Sequence, residues 1–159
     1  MQKPIVAIVG RPNVGKSTLL NRIAQKRIAI VENIAGVTRD RIFADAEWGG
    51  KEFKLVDTGG VEFESANVIM QQIKKQVELA IQEASVIVFL TDGREGLVGA
   101  DSEIAEMLRK TGKPFVFAVN KVENLAKADV YDFYKLGLGD PIAISAEHGL
   151  GTGDLLDKI

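Results

Sequence analysis

The chain has 159 residues, 46% hydrophobic and 26% charged, with a net charge of −2 and a pI near 5.5. That length suits one domain with a core large enough to need no staples, and the slightly acidic balance gives the isolated domain no electrostatic reason to bind nucleic acid or a membrane. The absence of cysteine excludes disulfides and thiolate metal sites, and the short N-terminal apolar run excludes a signal core or membrane span, leaving a cytoplasmic monomer as the default expectation.

Ile5-Val6-Ala7-Ile8-Val9 reads as a buried parallel strand, rich in β-branched residues. Gly10-Arg11-Pro12-Asn13-Val14-Gly15-Lys16-Ser17 follows, and then Thr18-Leu19-Leu20-Asn21-Arg22-Ile23-Ala24 carries apolar residues at helical spacing. Strand, glycine loop and helix form the context in which G-x-x-x-x-G-K-[ST] binds phosphate. Glycines let the backbone wrap a polyphosphate so that N–H groups and the helix N-terminus face the anion. In that reading Lys16 reaches the β- and γ-phosphates and Ser17 coordinates Mg²⁺. The plainer alternative is an ordinary glycine turn between a strand and a helix.

From Lys26 to Arg41 periodicity fades, which predicts a mobile loop around the short apolar piece Ile28-Ala29-Ile30-Val31. Strands are expected from Ile42 to Trp48 and from Lys51 to Val56, joined at Gly49-Gly50 in a tight hairpin. Trp48 is read as hairpin packing. The second strand runs into Asp57-Thr58-Gly59-Gly60, an acidic residue at a strand end, where open α/β sheets bind ligands.

A helix is predicted from Ser65 to Ala84, a buried strand over Val86-Ile87-Val88-Phe89-Leu90, and a helix from Ala100 to Arg109. Phe115-Val116-Phe117-Ala118-Val119 is the next strand and delivers Asn120-Lys121-Val122-Glu123. Leu125 to Leu136 reads as a helix in which Tyr131, Phe133 and Tyr134 pack. Ile142-Ala143-Ile144 forms a last strand feeding Ser145-Ala146-Glu147, and Thr152 to Ile159 opens a final helix. The lone His148 and the acidic Glu62, Glu64, Glu78 and Glu83 are read as surface. The whole is an α/β, three-layer P-loop NTPase fold of about six strands, mostly parallel with one antiparallel hairpin strand, and with helices on both faces. The final helix reaches Ile159 without a stop signal, so the 159 residues are expected to be one domain at the start of a longer protein.

Asp57-Thr58-Gly59-Gly60 fits D-x-x-G, in which Asp57 holds Mg²⁺ through water and the Gly60 N–H faces the γ-phosphate. Asn120-Lys121-Val122-Glu123 fits a guanine-reading N-K-x-D with Glu for Asp. A carboxylate there accepts from both the ring N–H and the exocyclic amine of guanine, a pair that adenine lacks. Ser145-Ala146-Glu147 supplies a backbone N–H to the guanine oxygen. A solvated turn after a strand is the plainer reading of Asn120-Lys121.

Together these motifs resemble those of the translation-factor-like GTPases of the Era/TrmE type. Gly10 to Ser17, Gly36-Val37-Thr38-Arg39-Asp40, Asp92-Gly93-Arg94-Glu95-Gly96 and Ser145-Ala146-Glu147-His148-Gly149 narrow the resemblance to the first GTPase domain of the Der (EngA) family. That resemblance implies GTP and GDP as ligands and a cytoplasmic protein with two tandem GTPase domains and a KH-like domain. It also implies association with the large ribosomal subunit through the full-length protein. Thr38 becomes the first-switch threonine that coordinates Mg²⁺ and the γ-phosphate, within a loop from about Asn33 to Arg41. Asp57 to about Glu64 becomes the second switch, and loss of the Thr38 and Gly60 contacts on hydrolysis is the signal.

Two positions depart from the usual pattern. Val61 stands where many GTPases place a water-orienting glutamine, so unassisted hydrolysis is expected to be slow, on the order of 10⁻⁴ s⁻¹ by analogy with another family. Related GTPases with an apolar residue there and an asparagine in the phosphate loop use K⁺ instead, and Asn13 occupies the matching position. The alternative is that Asn13 only pins the loop locally. Arg11 and Arg39 are rival internal cations, although such arginines are usually solvated or paired with acids. Glu123 keeps the charge and both acceptor oxygens but adds a rotor, which predicts guanine preference with weakened affinity. An ATPase or nucleotide kinase sharing the loop, and a ribosome or RNA scaffold in which nucleotide is structural, are the competing readings.

Overall fold

The computed structural model describes residues 4–11, 14–23, 30–33, 40–48, 50–57, 66–94, 99–122 and 141–146, with Phe133, Leu136, Leu138, Gly151, Gly153 and Leu155 singly. The strands are β1 (Ile5–Val9), β2 (Ile30–Asn33), β3 (Asp40–Trp48), β4 (Lys51–Asp57), β5 (Val86–Asp92), β6 (Phe115–Asn120) and β7 (Ile142–Ala143). Helices α1 (Lys16–Ile23), α2 (Ala66–Glu83) and α3 (Gly99–Thr111) connect them. The seven strands form one sheet in the order β2-β3-β4-β1-β5-β6-β7. Pairing is parallel from β4 through β1, β5 and β6 to β7, and β3 is antiparallel to both its neighbours.

The expected class therefore holds, with one strand more than the sequence reading allowed. Ile30–Asn33, placed in the expected loop, pairs antiparallel with β3 in the register Ile30↔Phe43 to Asn33↔Asp40. Four residues carry too little alternation to announce an edge strand, whose existence depends on its partner. Trp48↔Lys51 pairing leaves two residues in the β3–β4 turn, and Gly50 adopts φ 81°, as a tight hairpin turn requires.

The central strands are apolar on both faces because both faces are covered. Val6, Ile8, Val88 and Leu90 point into a cluster with Leu19, Leu20 and Ile23 of α1, and Leu155 joins them. Ala7, Val9, Ile87 and Phe89 point the other way, against Val77 and Ala80 of α2 and Ile104, Ala105 and Leu108 of α3. Phe89 and Phe117 stack at 5.2 Å and Phe133 meets Phe117 edge-on at 6.1 Å, geometries that add to simple area burial. Each fully buried Leu, Ile or Phe contributes roughly 1.5–3 kcal/mol before its entropy cost.

Helix α2 ends where Lys113 donates to the carbonyls of Ile81 and Ala84, a cationic cap on the negative end of the helix dipole. Glu78 and Glu83 are exposed, as expected. Trp48, read from the sequence as hairpin packing, is instead 43% exposed, with the edge of its ring near Gly153. Of the two expected C-terminal helices, Phe133, Leu136 and Leu155 are seen buried, and most other positions lie outside the described residues, as does His148.

Candidate nucleotide-binding site

The sheet order reverses beside β1, so the C-terminal ends of β1, β4, β5 and β6 open on one crevice, the position where such sheets take ligands. The registers Ile8↔Asp57, Val9↔Phe89 and Asp92↔Asn120 bring the phosphate loop, the acidic strand end and Asn120-Lys121 to this edge.

The glycine loop fits this place because two of its residues lack a side chain. A Cβ on Gly10 would lie 2.4 Å from the Leu90 carbonyl oxygen of β5. Gly15 has φ 105°, and a Cβ there would lie 2.2 Å from the Asn120 amide nitrogen. Lys16, 4% exposed, curls back over the loop, its Nζ donating to the carbonyls of Gly10 at 2.7 Å and Arg11 at 3.2 Å. A buried ammonium at the N-terminus of α1 makes the loop strongly attractive to an anion.

Arg11 is held from the side. Its Nε donates to Asp101 of α3 at 2.9 Å, with the two side chains 12% and 0% exposed. The guanidinium is thus engaged by an acid, as one of the plainer readings of it had it. Asp101→Asn keeps an acceptor oxygen but loses the charge, so it is expected to lower stability by roughly 1–2 kcal/mol, read as a lower urea midpoint at unchanged slope.

Asn120 joins the two halves of the crevice. It is 3% exposed, its Nδ2 donates to the Val14 carbonyl at 2.9 Å, and its Oδ1 accepts from the Ala146 N–H at 2.9 Å. An acceptor on one side and a donor on the other leave a single orientation for the amide. Lys121 adopts φ 64°, unusual for a residue with a side chain, and its Nζ pairs with Asp92 at 2.8 Å. Asp92 also accepts from the Arg94 N–H at 2.8 Å, and the Gly93 N–H donates to the Asn120 carbonyl at 2.8 Å. Val122 closes the motif by donating to the Ile144 carbonyl at 3.0 Å. Ser145 and Ala146 are 2% and 1% exposed, and Arg22 of α1 donates to the Ala146 carbonyl at 3.0 Å.

Gly10, Arg11, Val14, Gly15, Lys16, Asn120, Lys121, Val122, Ser145 and Ala146 are therefore gathered along one edge, with Asp57, 2% exposed, at the end of β4. Thr18 is exposed one residue beyond Ser17, whose backbone lies in the first turn of α1. Pro12, Asn13, Thr38, Thr58, Gly59, Gly60, Val61, Glu123 and Glu147 lie outside the described residues. One expectation is refined: the Ala146 N–H already serves Asn120. The sequence reading missed Arg22, Asp92 and Asp101 as supports. No local signal marks them, since Arg22 and Ala146 meet across 124 positions and Arg11 and Asp101 across 90.

A hydroxyl at Ser17 and a carboxylate at Asp57 are hard oxygen donors suited to Mg²⁺. Among the described residues no group of three or more His, Cys, Asp or Glu is placed to hold a metal.

The crevice, its glycine loop and the motifs at its strand ends define a P-loop GTPase. The chain belongs to the 50S ribosome-binding GTPase family, whose model matches residues 5–121. It is 57% identical over 160 residues to GTPase Der of Clostridium perfringens and 60% identical over 159 residues to GTPase Der of Desulforamulus reducens. In both cases the match takes in 100% of this chain and 36% of the relative, so the chain spans about a third of their length. Among solved structures it is similar to Aquifex aeolicus Era bound to GDP and AlF4⁻, at TM-score 0.75 and 28% identity, covering 99% of this chain and 56% of that one. Era in complex with MgGDPNP and a 16S ribosomal RNA segment matches at TM-score 0.72 and 29% identity, over 99% of this chain and 56% of that one. The G domain of the T. maritima FeoB iron transporter matches at TM-score 0.74 and 23% identity, over 98% and 95% of the two chains, which speaks for the fold alone. Among the described residues no helix is long and apolar enough to cross a membrane.

Proposed function

We propose that this chain binds GTP and hydrolyses it to GDP and phosphate, as a switch domain of a larger cytoplasmic protein engaged in assembly of the large ribosomal subunit. The observation that carries the reading is Asn120, whose one amide ties the phosphate loop at Val14 to the base-side loop at Ala146. A kinase or ATPase has no need of that bridge to a guanine-type N-K-x-[DE] motif, whereas a guanine reader needs its phosphate and base contacts held in one frame.

In the reaction a water oxygen bonds to the γ-phosphorus as the bond from that phosphorus to the β–γ bridging oxygen breaks; the bridging oxygen leaves with GDP, and the proton lost by the water passes to the released phosphate or to solvent. Lys16, the loop N–H groups and the N-terminus of α1 stabilise the charge on the phosphate oxygens. Ser17, Asp57 and, in the GTP state, Thr38 would hold Mg²⁺, which would supply further neutralisation of the phosphate charge. Gly60 offers its N–H to the γ-phosphate. Val61 has no group with which to orient the water, so the intrinsic rate is slow, and Asn13 would hold K⁺, which would offset phosphate charge. Glu123 reads the guanine N–H groups. Departure of the γ-phosphate releases Thr38 and Gly60 and with them the two switch loops.

Release of phosphate from GTP, ATP and XTP, measured in K⁺ and in Na⁺ buffer, tests the proposal. Turnover is expected with GTP alone and faster in K⁺. Comparable use of ATP overturns guanine selectivity, and equal rates in the two buffers overturn the role of Asn13. The domain, with its net charge of −2, is expected to bind RNA poorly with or without GTP in a filter assay. The ribosome contact accordingly belongs to the longer protein.

A further inference from the structure

We infer that Asp101, in the first turn of α3, is a positioning residue for the phosphate loop, acting through Arg11 on the seat of the Lys16 ammonium. The inference rests on the nucleotide-binding reading above and adds to that site a residue outside its motifs. Lys16 Nζ rests on the carbonyls of Gly10 at 2.7 Å and Arg11 at 3.2 Å. Different parts of the fold set these two carbonyls. Gly10 follows β1 directly and lies so close to β5 that a Cβ on it would stand 2.4 Å from the Leu90 carbonyl oxygen, so the sheet fixes its place. Arg11 is one residue further into the loop, and its side chain reaches α3, where Nε donates to Asp101 Oδ1 at 2.9 Å.

Asp101 is suited to this because its place is set by the core rather than by the loop. It is 0% exposed, on a helix that Ile104, Ala105 and Leu108 bury at 0%, 0% and 1%. Those residues join the cluster on one face of the sheet, whereas Leu19, Leu20 and Ile23 of α1 join the cluster on the other. The loop leads into α1 by its own chain and is tied to α3 by Arg11, so it is gripped from both faces. A buried ion pair is a poor source of stability, because desolvation offsets much of the attraction. What this pair supplies is direction: the acid holds the guanidinium, and with it the Arg11 backbone and the carbonyl under the ammonium. A lysine seated in advance meets a phosphate with little left to reorganise.

The ammonium serves phosphates beyond the first, so the effect should depend on how many the ligand carries. In competition titrations of the 159-residue chain with Mg²⁺ present, Asp101→Asn is expected to weaken GDP about tenfold, the scale of one charge-assisted hydrogen bond, and GMP less than about twofold. Arg11→Gln should do the same, and the double variant should be no weaker than either single one, because each removes the same tie. A merely structural role lowers the urea midpoint and leaves the GDP to GMP ratio unchanged, which overturns the inference. Losses that add in the double variant, or undiminished GDP affinity, overturn it as well. Arg11→Gln alters the more exposed partner, at 12% against 0%, and carries the GDP and GMP comparison should Asp101→Asn not fold. If the wild-type chain itself binds GMP as tightly as GDP, the phosphate-loop reading fails instead, so the two failures are distinguishable.

Discussion

Asn120→Ala is expected to abolish useful guanine-nucleotide binding, with at least a hundredfold loss of GDP affinity, and to lower stability by about 3 kcal/mol. The amide is 3% exposed and serves two backbone groups, the Val14 carbonyl and the Ala146 N–H, both at 2.9 Å. Truncation leaves both without that partner, at roughly 1–3 kcal/mol for each buried polar group left unsatisfied. It also frees the base-side loop from the phosphate loop, so that the nucleotide must itself supply the order the protein held in advance. Asn120→Asp is a sharper probe. It keeps the acceptor for Ala146 but turns an oxygen toward the Val14 carbonyl, and it is expected to be no better tolerated. Urea denaturation and nucleotide titration read the two effects separately. A variant with wild-type affinity shows that the two loops hold their positions without the bridge.

Lys16→Ala is expected to reduce GTP hydrolysis by a factor of about 10²–10³ under single-turnover conditions, the range found for removal of one preorganised donor to developing charge. The ammonium is 4% exposed and already poised over the loop on the Gly10 and Arg11 carbonyls at 2.7 and 3.2 Å, so little reorganisation remains at the moment of reaction. Lys16→Arg keeps the charge but replaces a compact ammonium with a planar fork that the same space does not fit, and it should rescue little. Single-turnover phosphate release reads the chemical step, and a GDP titration alongside it should show a smaller defect, because the contact proposed for the lysine with the γ-phosphate exists only with GTP. Unchanged phosphate release shows that the loop amides alone carry the charge.

The strands from Ile5, Val86 and Phe115 were legible because they are buried on both sides and therefore apolar at nearly every position. The amphipathic helices α2 and α3 were legible within one or two residues at each end. The β3–β4 hairpin was announced by Gly49-Gly50. Edge strand β2 was not, because four residues acquire strand geometry only when β3 supplies the hydrogen-bond partners. The phosphate loop was legible because wrapping an anion with backbone amides demands glycine and lysine at fixed offsets.

Local chemistry thus decided which groups come to the edge of the crevice: a glycine loop before a helix, an aspartate closing a strand, and Asn120-Lys121 after another. The folded chain alone decided what holds those groups in place. Gly15 must be glycine because the Asn120 amide lies where its Cβ would be. Asp92 answers Lys121, Asp101 answers Arg11, and Arg22 answers Ala146. Each of these is a contact between distant segments that a surface arginine or aspartate does not advertise. A recognition group must have one chemical identity at one spacing, and that is written in sequence; a support needs only to arrive at the right point in space, and that is set by the packing of the sheet and its helices.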